Sequence, residues 1–155
     1  MKSMIFYYSK SGKTENLAKK IQETLGSDIL KVEPEKPYGS WISSVLRVTG
    51  EKFKTVYPAY RTEIPNLDQY DVVLIGYPIW AGDIPAFFAY FVKKCNLQGK
   101  TVIPFATSGG SGIEPSVKTI KRICPESNVM LQYRYIPAKN DEFEQWLQSL
   151  SGFKN

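Results

Sequence analysis

Short apolar runs along this chain alternate with stretches in which apolar residues recur every three or four positions. Such runs are typical of buried strands, and the longer periodic stretches are typical of amphipathic helices. Their alternation predicts βαβ units and a parallel sheet. The predicted strands cover residues 4–8, 29–32, 71–77, 101–106 and 128–133.

Five helices are predicted in the segments that follow these strands. One of them covers residues 41–54, inside an otherwise irregular segment over residues 34–66. We expect Asp83 to cap the helix that follows the third strand, and Asp141 with Glu144 to cap the last helix. Caps of this kind supply acceptors to the N–H groups that the first turn of a helix leaves unpaired.

Pro104 conflicts with its surroundings, because it lies inside the fourth predicted strand. Proline has no N–H group to donate, so it is unsuited to the centre of a sheet. A β-bulge is the simplest arrangement that would accommodate it. With that exception, the alternation of five strands and five helices predicts a doubly wound α/β fold, whose ligands bind at the carboxyl ends of the strands.

The overall composition predicts a single globular domain over residues 1–155. Hydrophobic residues make up 43% of the chain, and no apolar run approaches the roughly 20 residues needed to cross a membrane. We therefore expect a cytoplasmic protein with no membrane partner. The net charge of +5 is spread over isolated pairs of basic residues, which argues against a nucleic-acid partner.

Much familiar catalytic chemistry is excluded by the residues that the sequence lacks. There is no histidine, and the two cysteines, Cys95 and Cys124, do not form a CxxC pair. A zinc site or a Cys–His couple therefore cannot be built from these side chains. We expect both cysteines to be buried thiols, and we predict neither a metal site nor a side chain that acts as acid or base.

The segment SKSGKT, residues 9–14, follows the first strand and looks like the tail of a nucleotide-hydrolysing loop. Such a loop reads GxxxxGK[ST], but the position required for its first glycine is Tyr7. The central strand also ends in Gly76 and Tyr77 rather than in an acidic residue that could help to hold magnesium. Hydroxyls and glycine before a helix instead suit a terminal monophosphate, although they could equally be simple helix caps.

Two further loops follow the third and fourth strands. The first, YPIWAGDIP, places Trp80 at the mouth of the central strand, where a bulky ring is better placed to face a flat ligand than to join the core. The second, TSGGSG at residues 107–112, can offer several backbone amides and carbonyls to the edge of such a ligand. Because the carboxyl ends of parallel strands meet at one edge, we expect all three loops to form one site.

In these residues the chain resembles the flavodoxins, and in particular a short flavodoxin-like family marked by YDVxxxGYPIWxGxxP and TxGGSG. This sequence has YDVVLIGYPIWAGDIP and TSGGSG, and the resemblance covers nearly its whole length. It implies a doubly wound five-stranded parallel sheet in the order 2-1-3-4-5 and one bound FMN. Carried over residue by residue, it implies that FMN is bound by Ser9, Lys10, Ser11, Gly12, Lys13, Thr14, Pro78, Ile79, Trp80, Ala81, Gly82, Thr107, Ser108, Gly109, Gly110, Ser111 and Gly112.

Two departures from well-known electron-shuttle flavodoxins bear on function. This chain is basic, and its third loop lacks the aromatic residue that sandwiches the flavin in those proteins. One face of the ring would then be open to a nicotinamide or a quinone. That face could instead be covered by a second subunit or by one of the tyrosines Tyr38, Tyr57 and Tyr60.

The resemblance implies an FMN-dependent redox protein whose activity is left open between alternatives. The leading hypothesis is electron transfer to or from a redox partner protein. The first alternative is an NAD(P)H-dependent flavin or quinone reductase, which could work as a homodimer. The remote alternative is a binding module without redox chemistry.

Overall fold

The computed structural model describes residues 1–39, 47 and 59–155. Its strands are β1 (Ser3–Tyr7), β2 (Asp28–Lys31), β3 (Val72–Pro78), β4 (Thr101–Thr107), β5 (Asn128–Val129) and β6 (Tyr133–Tyr135). The described helices are α1 (Lys13–Leu25), α2 (Ala86–Lys94), α3 (Glu114–Ile123) and α4 (Asn140–Ser149), and α4 is flanked by short 3₁₀ helices over Pro137–Lys139 and Ser151–Phe153. The predicted helix over residues 41–54 falls, apart from Arg47, outside the described residues. No described helix is long and apolar enough to cross a membrane.

The strands form one parallel sheet in the order β2-β1-β3-β4, with β5 and β6 both paired to the far side of β4. β3 and β4 pair without interruption, from Val72 opposite Thr101 to Pro78 opposite Thr107. This arrangement confirms the predicted doubly wound order, with two short strands sharing the fifth position. The strand order reverses beside β1, where such folds bind their ligands.

The fifth predicted strand, residues 128–133, is interrupted. β5 and β6 leave residues 130–132 unpaired between them, and these three residues face only residues 103 and 104 of β4. Leu131 has a left-handed backbone with φ 53°, and its carbonyl accepts a hydrogen bond of 2.7 Å from the indole N–H of Trp146. The prediction of one continuous strand is therefore wrong, because the extra residue forms an edge-strand bulge over residues 130–132.

Pro104 lies opposite the edge-strand bulge. The carbonyl of Val102 accepts a hydrogen bond of 3.0 Å from the N–H of Met130, so the backbone polar groups of Val102 face away from β3. Backbone groups two residues apart in a strand face the same side, so the nitrogen of Pro104 faces the bulge as well. The bulge expected at Pro104 is thus found in the neighbouring strand, while β4 keeps an unbroken register with β3.

Asp83 does not cap the helix that follows it. α2 has Pro85 at its N-cap and no hydrogen bond from a capping side chain. The Asp83 carboxylate instead accepts hydrogen bonds from the Ile84 N–H at 2.8 Å and from the Thr119 hydroxyl at 2.9 Å. The predicted cap is wrong because the Asp83 side chain is hydrogen-bonded to α3 instead. This bond links the loop after β3 to α3.

The predicted capping pair of the last helix is also wrong. α4 already begins at Asn140, with Lys139 at its N-cap and no hydrogen bond from a capping side chain. Asp141 therefore lies inside the helix rather than at its N-cap, so it cannot form the capping pair with Glu144. Asp141 still lies in the first turn, where a carboxylate interacts favourably with the helix dipole.

Side chains alternate between the two sides of the sheet and form two buried clusters. One cluster, which we call the α2/α3 face, contains Phe6 of β1 and Phe91 of α2. The other, the α1/α4 face, contains Ile5 of β1 and Phe143 of α4. The central strands are thus covered on both sides, so only their ends are free to form a ligand site.

Candidate functional site

The three predicted loops meet at the carboxyl edge of the sheet and enclose a cavity of about 410 Å³. This volume falls in the range of about 300 to 1,000 Å³ that is usual for small-molecule sites. The lining contains residues from each loop: Ser11, Lys13, Pro78, Ile79, Trp80, Thr107, Ser108 and Gly109. The cavity also has two lining residues that the sequence did not indicate, Tyr135 and Pro137.

The first loop is arranged by its own side chains. The hydroxyl of the buried residue Ser9 accepts a hydrogen bond of 3.0 Å from the N–H of Gly12. Gly12 is the N-cap residue of α1 and has φ 90°, a conformation that favours glycine. Gly12 has no side chain with which to cap α1, and the first N–H groups of a helix have no partners within it. The Ser9 contact agrees with the simple-cap alternative, which stays a prediction, while the N–H groups that follow are suited to an anion.

The first and third loops are joined by a pair of buried threonines. The hydroxyl oxygens of Thr14 and Thr107 lie 2.9 Å apart and share a hydrogen bond. Only one of the two hydroxyls can donate to the other, so the accepting one keeps its hydrogen for a different partner. This pair can therefore supply one donor to a ligand rather than two.

The second loop turns sharply after Trp80. The backbone N–H of Trp80 donates to the carbonyl of Asp83 at 2.9 Å, and the N–H of Asp83 donates to the carbonyl of Trp80 at 3.0 Å. Between them, Ala81 has φ 49° and Gly82 has φ 78°. Two central residues with positive φ match a type I′ turn, a conformation that glycine adopts easily and alanine rarely. The turn fixes the end of β3 and holds Ala81 in a costly conformation.

The indole of Trp80 is held from the α2/α3 face. Its ring makes T-shaped contacts with the rings of Tyr8 and Tyr38, at centroid distances of 5.4 Å and 4.8 Å. Tyr8 also packs edge-on against Phe87 at 4.8 Å. Burial raises the pKa of Tyr8 above its ordinary value, so this ring stays neutral. Trp80 thus packs on an aromatic cluster of Tyr8, Tyr38 and Phe87 and also lines the cavity.

The tyrosines considered as covers for a flavin lie elsewhere. Tyr38 contacts Trp80 but does not line the cavity. The guanidinium of Arg47 lies over its ring, 4.0 Å from the ring centroid. Tyr60 packs against Phe91 at 5.2 Å, within the α2/α3 face. Tyr57 lies outside the described residues. Of these tyrosines, Tyr38 therefore acts as a support for Trp80, and Tyr60 belongs to the core.

The third loop is fastened at both ends. The carbonyl of Thr107 accepts a hydrogen bond of 2.8 Å from the N–H of Ile79, which links the second and third loops. The hydroxyl of Ser108 accepts the N–H of Gly110 at 3.1 Å, and Arg134 donates to the carbonyl of Ser111 at 3.4 Å. These bonds give the glycine-rich loop a defined path along the cavity.

The other predicted site residues lie in the same three loops without lining the cavity: Ser9, Lys10, Gly12, Thr14, Ala81, Gly82, Gly110, Ser111 and Gly112. Several of them shape the loops through the bonds and turns described above. Tyr135 and Pro137 went unnoticed because the fifth strand was predicted to end at residue 133. The rule that ligands bind beyond the carboxyl ends of strands could have found them had that end been placed correctly.

The two cysteines lie away from this edge, at the carboxyl ends of α2 and α3. Both are free and buried. Burial raises the pKa of Cys95 to about 12 and the pKa of Cys124 to about 11, so both remain protonated thiols. Within the described part of the chain, no group of histidine, cysteine or acidic residues is arranged to hold a metal ion.

The chemistry of the cavity differs between its two ends. The end formed by Ser11, Lys13 and the first turn of α1 offers N–H groups, a hydroxyl and a positive charge. The end formed by Pro78, Ile79 and Trp80 offers apolar and aromatic surface. A ligand that fits both ends carries an anionic group on one side and a flat heteroaromatic ring on the other.

The chain is similar to known flavoproteins. A family profile described as flavodoxin matches residues 2–150 of the chain. A candidate flavoprotein from Bacteroides eggerthii DSM 20697 is 33% identical over 97% of this chain and 98% of that chain, with a TM-score of 0.83. A candidate flavoprotein from Bacteroides uniformis ATCC 8492 is 30% identical over 95% of this chain and 97% of that chain, with a TM-score of 0.83.

More distant structures share the fold. A flavoprotein from Lactobacillus acidophilus NCFM, solved in complex with FMN, is 22% identical over 94% of this chain and 97% of that chain, with a TM-score of 0.76. No curated protein matches the sequence. The family match spans nearly the whole chain, and the strand order agrees with it. The chain therefore belongs to the flavodoxin family.

Proposed function

We propose that this chain binds FMN in the three-loop cavity and transfers electrons through it. The observation that carries the proposal is the cavity itself, which joins the amino terminus of α1 to the indole of Trp80. FMN has a terminal phosphate for the first end and a flat heteroaromatic ring for the second. The flavodoxin family and the FMN complex of the L. acidophilus protein support the same cofactor.

The phosphate end of the cavity consists of Ser11, Lys13 and the first turn of α1. Its N–H groups and the helix dipole attract a phosphate, and the Ser11 hydroxyl adds a donor. The Lys13 ammonium adds charge from an exposed position. The Thr14–Thr107 hydrogen bond keeps this end in place relative to the third loop.

The ring end of the cavity consists of Pro78, Ile79 and Trp80. Trp80 offers its indole for stacking, and its T-shaped contacts with Tyr8 and Tyr38 fix its orientation. Bound FMN supplies the redox chemistry, so the protein's contributions are binding, orientation and access. No side chain has to act as acid or base in this function.

A reductase that uses NAD(P)H to reduce a flavin or a quinone is the second candidate function. The observation that favours it is the composition of the third loop, whose residues 108–112 contain no aromatic side chain. Such a loop leaves room for a nicotinamide or a quinone over the ring face opposite Trp80. The electron carrier is the leading proposal, with a redox protein as its partner.

The first experiment tests the cofactor. The visible spectrum of the purified protein should show bound flavin, and the apoprotein should quench the fluorescence of added FMN at a stoichiometry of one. A colourless protein that does not quench FMN fluorescence would contradict the proposal and favour a binding module without redox chemistry.

The second experiment separates the two redox functions. The FMN-loaded protein is mixed with NADPH and a soluble quinone under anaerobic conditions, without any partner protein. An electron carrier should show no sustained oxidation of NADPH, although dithionite should bleach its visible spectrum. Sustained oxidation of NADPH would overturn the carrier assignment in favour of the reductase.

A further inference from the structure

Tyr135 is an aromatic residue that lines the candidate cavity without belonging to any of the three loops. It is the last residue of β6 and pairs in register with Thr107, the last residue of β4. Its ring packs edge-on against Phe143 at a centroid distance of 5.7 Å. Backbone pairing and this ring contact both restrict where its side chain can go.

The pairing also shows on which side of the sheet Tyr135 lies. Paired residues on neighbouring strands point to the same face, so Tyr135 shares a face with Thr107. Thr107 bonds to Thr14 in the first turn of α1, and Tyr135 packs against the cluster of the α1/α4 face. Trp80 packs against the opposite cluster, that of the α2/α3 face. Tyr135 therefore lies beside the Thr14–Thr107 pair, on the side of the sheet that carries the first turn of α1.

The chemistry of a tyrosine suits that position. Its phenolic hydroxyl can donate a hydrogen bond to a phosphate oxygen, and bonds to charged acceptors are stronger than bonds between neutral groups. Ser11 and Lys13 line the same cavity and would approach the phosphate together with it. The exposed ammonium of Lys13 is screened by water, whereas Tyr135 is partly buried and held by Phe143.

We propose that Tyr135 donates its hydroxyl to the terminal phosphate of FMN and so makes affinity depend on that phosphate. The inference rests on the proposed function, because it assigns a residue of the same site. In this proposal a strand residue outside the three loops contributes to the chain's preference for a flavin monophosphate over riboflavin. Tyr135 then acts as a specificity-determining residue that leaves the ring end unchanged.

The test compares Tyr135→Phe with the unmodified protein by titrating each apoprotein with FMN and with riboflavin, using quenching of flavin fluorescence. The matched control is Tyr133→Phe, two residues away on the same face of β6. The Tyr133 hydroxyl is buried and has no hydrogen-bond partner among the described residues, so its removal breaks no hydrogen bond there. Thermal unfolding of each apoprotein, followed by circular dichroism, verifies that both variants fold.

We expect Tyr135→Phe to weaken FMN binding about tenfold, or about 1.4 kcal/mol, with riboflavin affinity unchanged. Tyr133→Phe should change neither affinity. Equal losses for FMN and riboflavin, or no loss for either ligand, would overturn the assignment of Tyr135 while leaving FMN binding itself established. If the unmodified protein binds neither ligand, the proposed function fails together with this inference.

Discussion

Thr14 and Thr107, 93 positions apart in the sequence, share a buried hydrogen bond of 2.9 Å between their hydroxyl oxygens. The bond joins the first turn of α1 to the end of β4, and therefore the first loop of the candidate site to the third. A hydrogen bond between two buried hydroxyls contributes little net free energy to folding. Removing one hydroxyl is costly, because the other is then buried without a partner.

Thr107→Val should lower the free energy of unfolding of the apoprotein by about 1 to 3 kcal/mol, since it leaves the Thr14 hydroxyl buried and unpaired. The double variant Thr14→Val/Thr107→Val should recover part of that loss. Urea unfolding measures both, and Thr24→Val provides the control, because its hydroxyl bonds at the exposed surface of α1. Strictly additive losses in the double variant would show that the two threonines are not coupled.

Ala81→Gly should stabilise the apoprotein, because Ala81 occupies a positive φ of 49° in the turn after Trp80. The cost of this conformation for a residue with a Cβ is roughly 1 kcal/mol or more, and glycine avoids it. The larger freedom of glycine in the unfolded chain offsets part of the gain, so the net increase should be below about 1 kcal/mol.

The matched control for this variant is Ala89→Gly, which makes the same chemical change inside α2. That substitution should lower the free energy of unfolding by roughly 1 kcal/mol, because glycine is unfavourable inside a helix. Both are measured by urea unfolding under identical conditions. Destabilisation by both substitutions would argue against strain at Ala81.

Trp80→Ala should weaken FMN binding about tenfold to a hundredfold, if stacking on the indole resembles stacking of nucleobases on aromatic side chains at about 1 to 3 kcal/mol. Trp80→Phe should keep most of the affinity, because it retains an aromatic face. Fluorescence titration with FMN measures both variants. Unchanged affinity in Trp80→Ala would remove Trp80 from the site, even if FMN binding persists.

The Tyr70–Asp28 contact should contribute to stability in a pH-dependent manner. The Tyr70 hydroxyl donates to the Asp28 carboxylate at 2.6 Å, and this bond, with the attraction of Lys2, lowers the pKa of Asp28 below its ordinary 3.8. A lowered pKa gives stability that is present above the ordinary value and is lost as the pH falls through the folded one. Tyr70→Phe should therefore be less stable than the unmodified protein at pH 6. The gap between the free energies of unfolding of the two proteins should narrow below about pH 4.

Urea midpoints of both proteins between pH 3 and pH 7 measure this gap. The same substitution made in an Asp28→Asn background should give a gap that does not vary with pH. A gap of constant size in the unmodified background would mean that Tyr70 contributes by packing alone.

The main elements and the three loops could be predicted because their signals are local. The apolar run over residues 71–77 and the SKSGKT, YPIWAGDIP and TSGGSG segments each follow from neighbouring residues. A parallel sheet then brings the ends of its strands to one edge, which explains why residues from all three loops line one cavity.

The failed predictions concern residues whose conformation depends on distant partners. Leu131 has a positive φ that its own sequence does not favour, and the indole of Trp146 binds its carbonyl. Asp83 is a good capping residue by type, but Thr119 of α3 takes its carboxylate. Tyr135 was missed as a lining residue because the break at Leu131 moved the end of the strand.

The edge-strand bulge over residues 130–132 decides which kind of side chain borders the first turn of α1. In a strand, adding or removing one residue exchanges the two faces. If residues 130–132 all paired with β4 without a bulge, Arg134 would pair with Thr107 in place of Tyr135, and a guanidinium would take the place of a phenol beside the proposed phosphate. The bulge takes up one extra residue, so deleting one of these three residues would keep Tyr135 opposite Thr107. Along this edge, the side chain that borders the site depends on the pairing register as much as on the sequence.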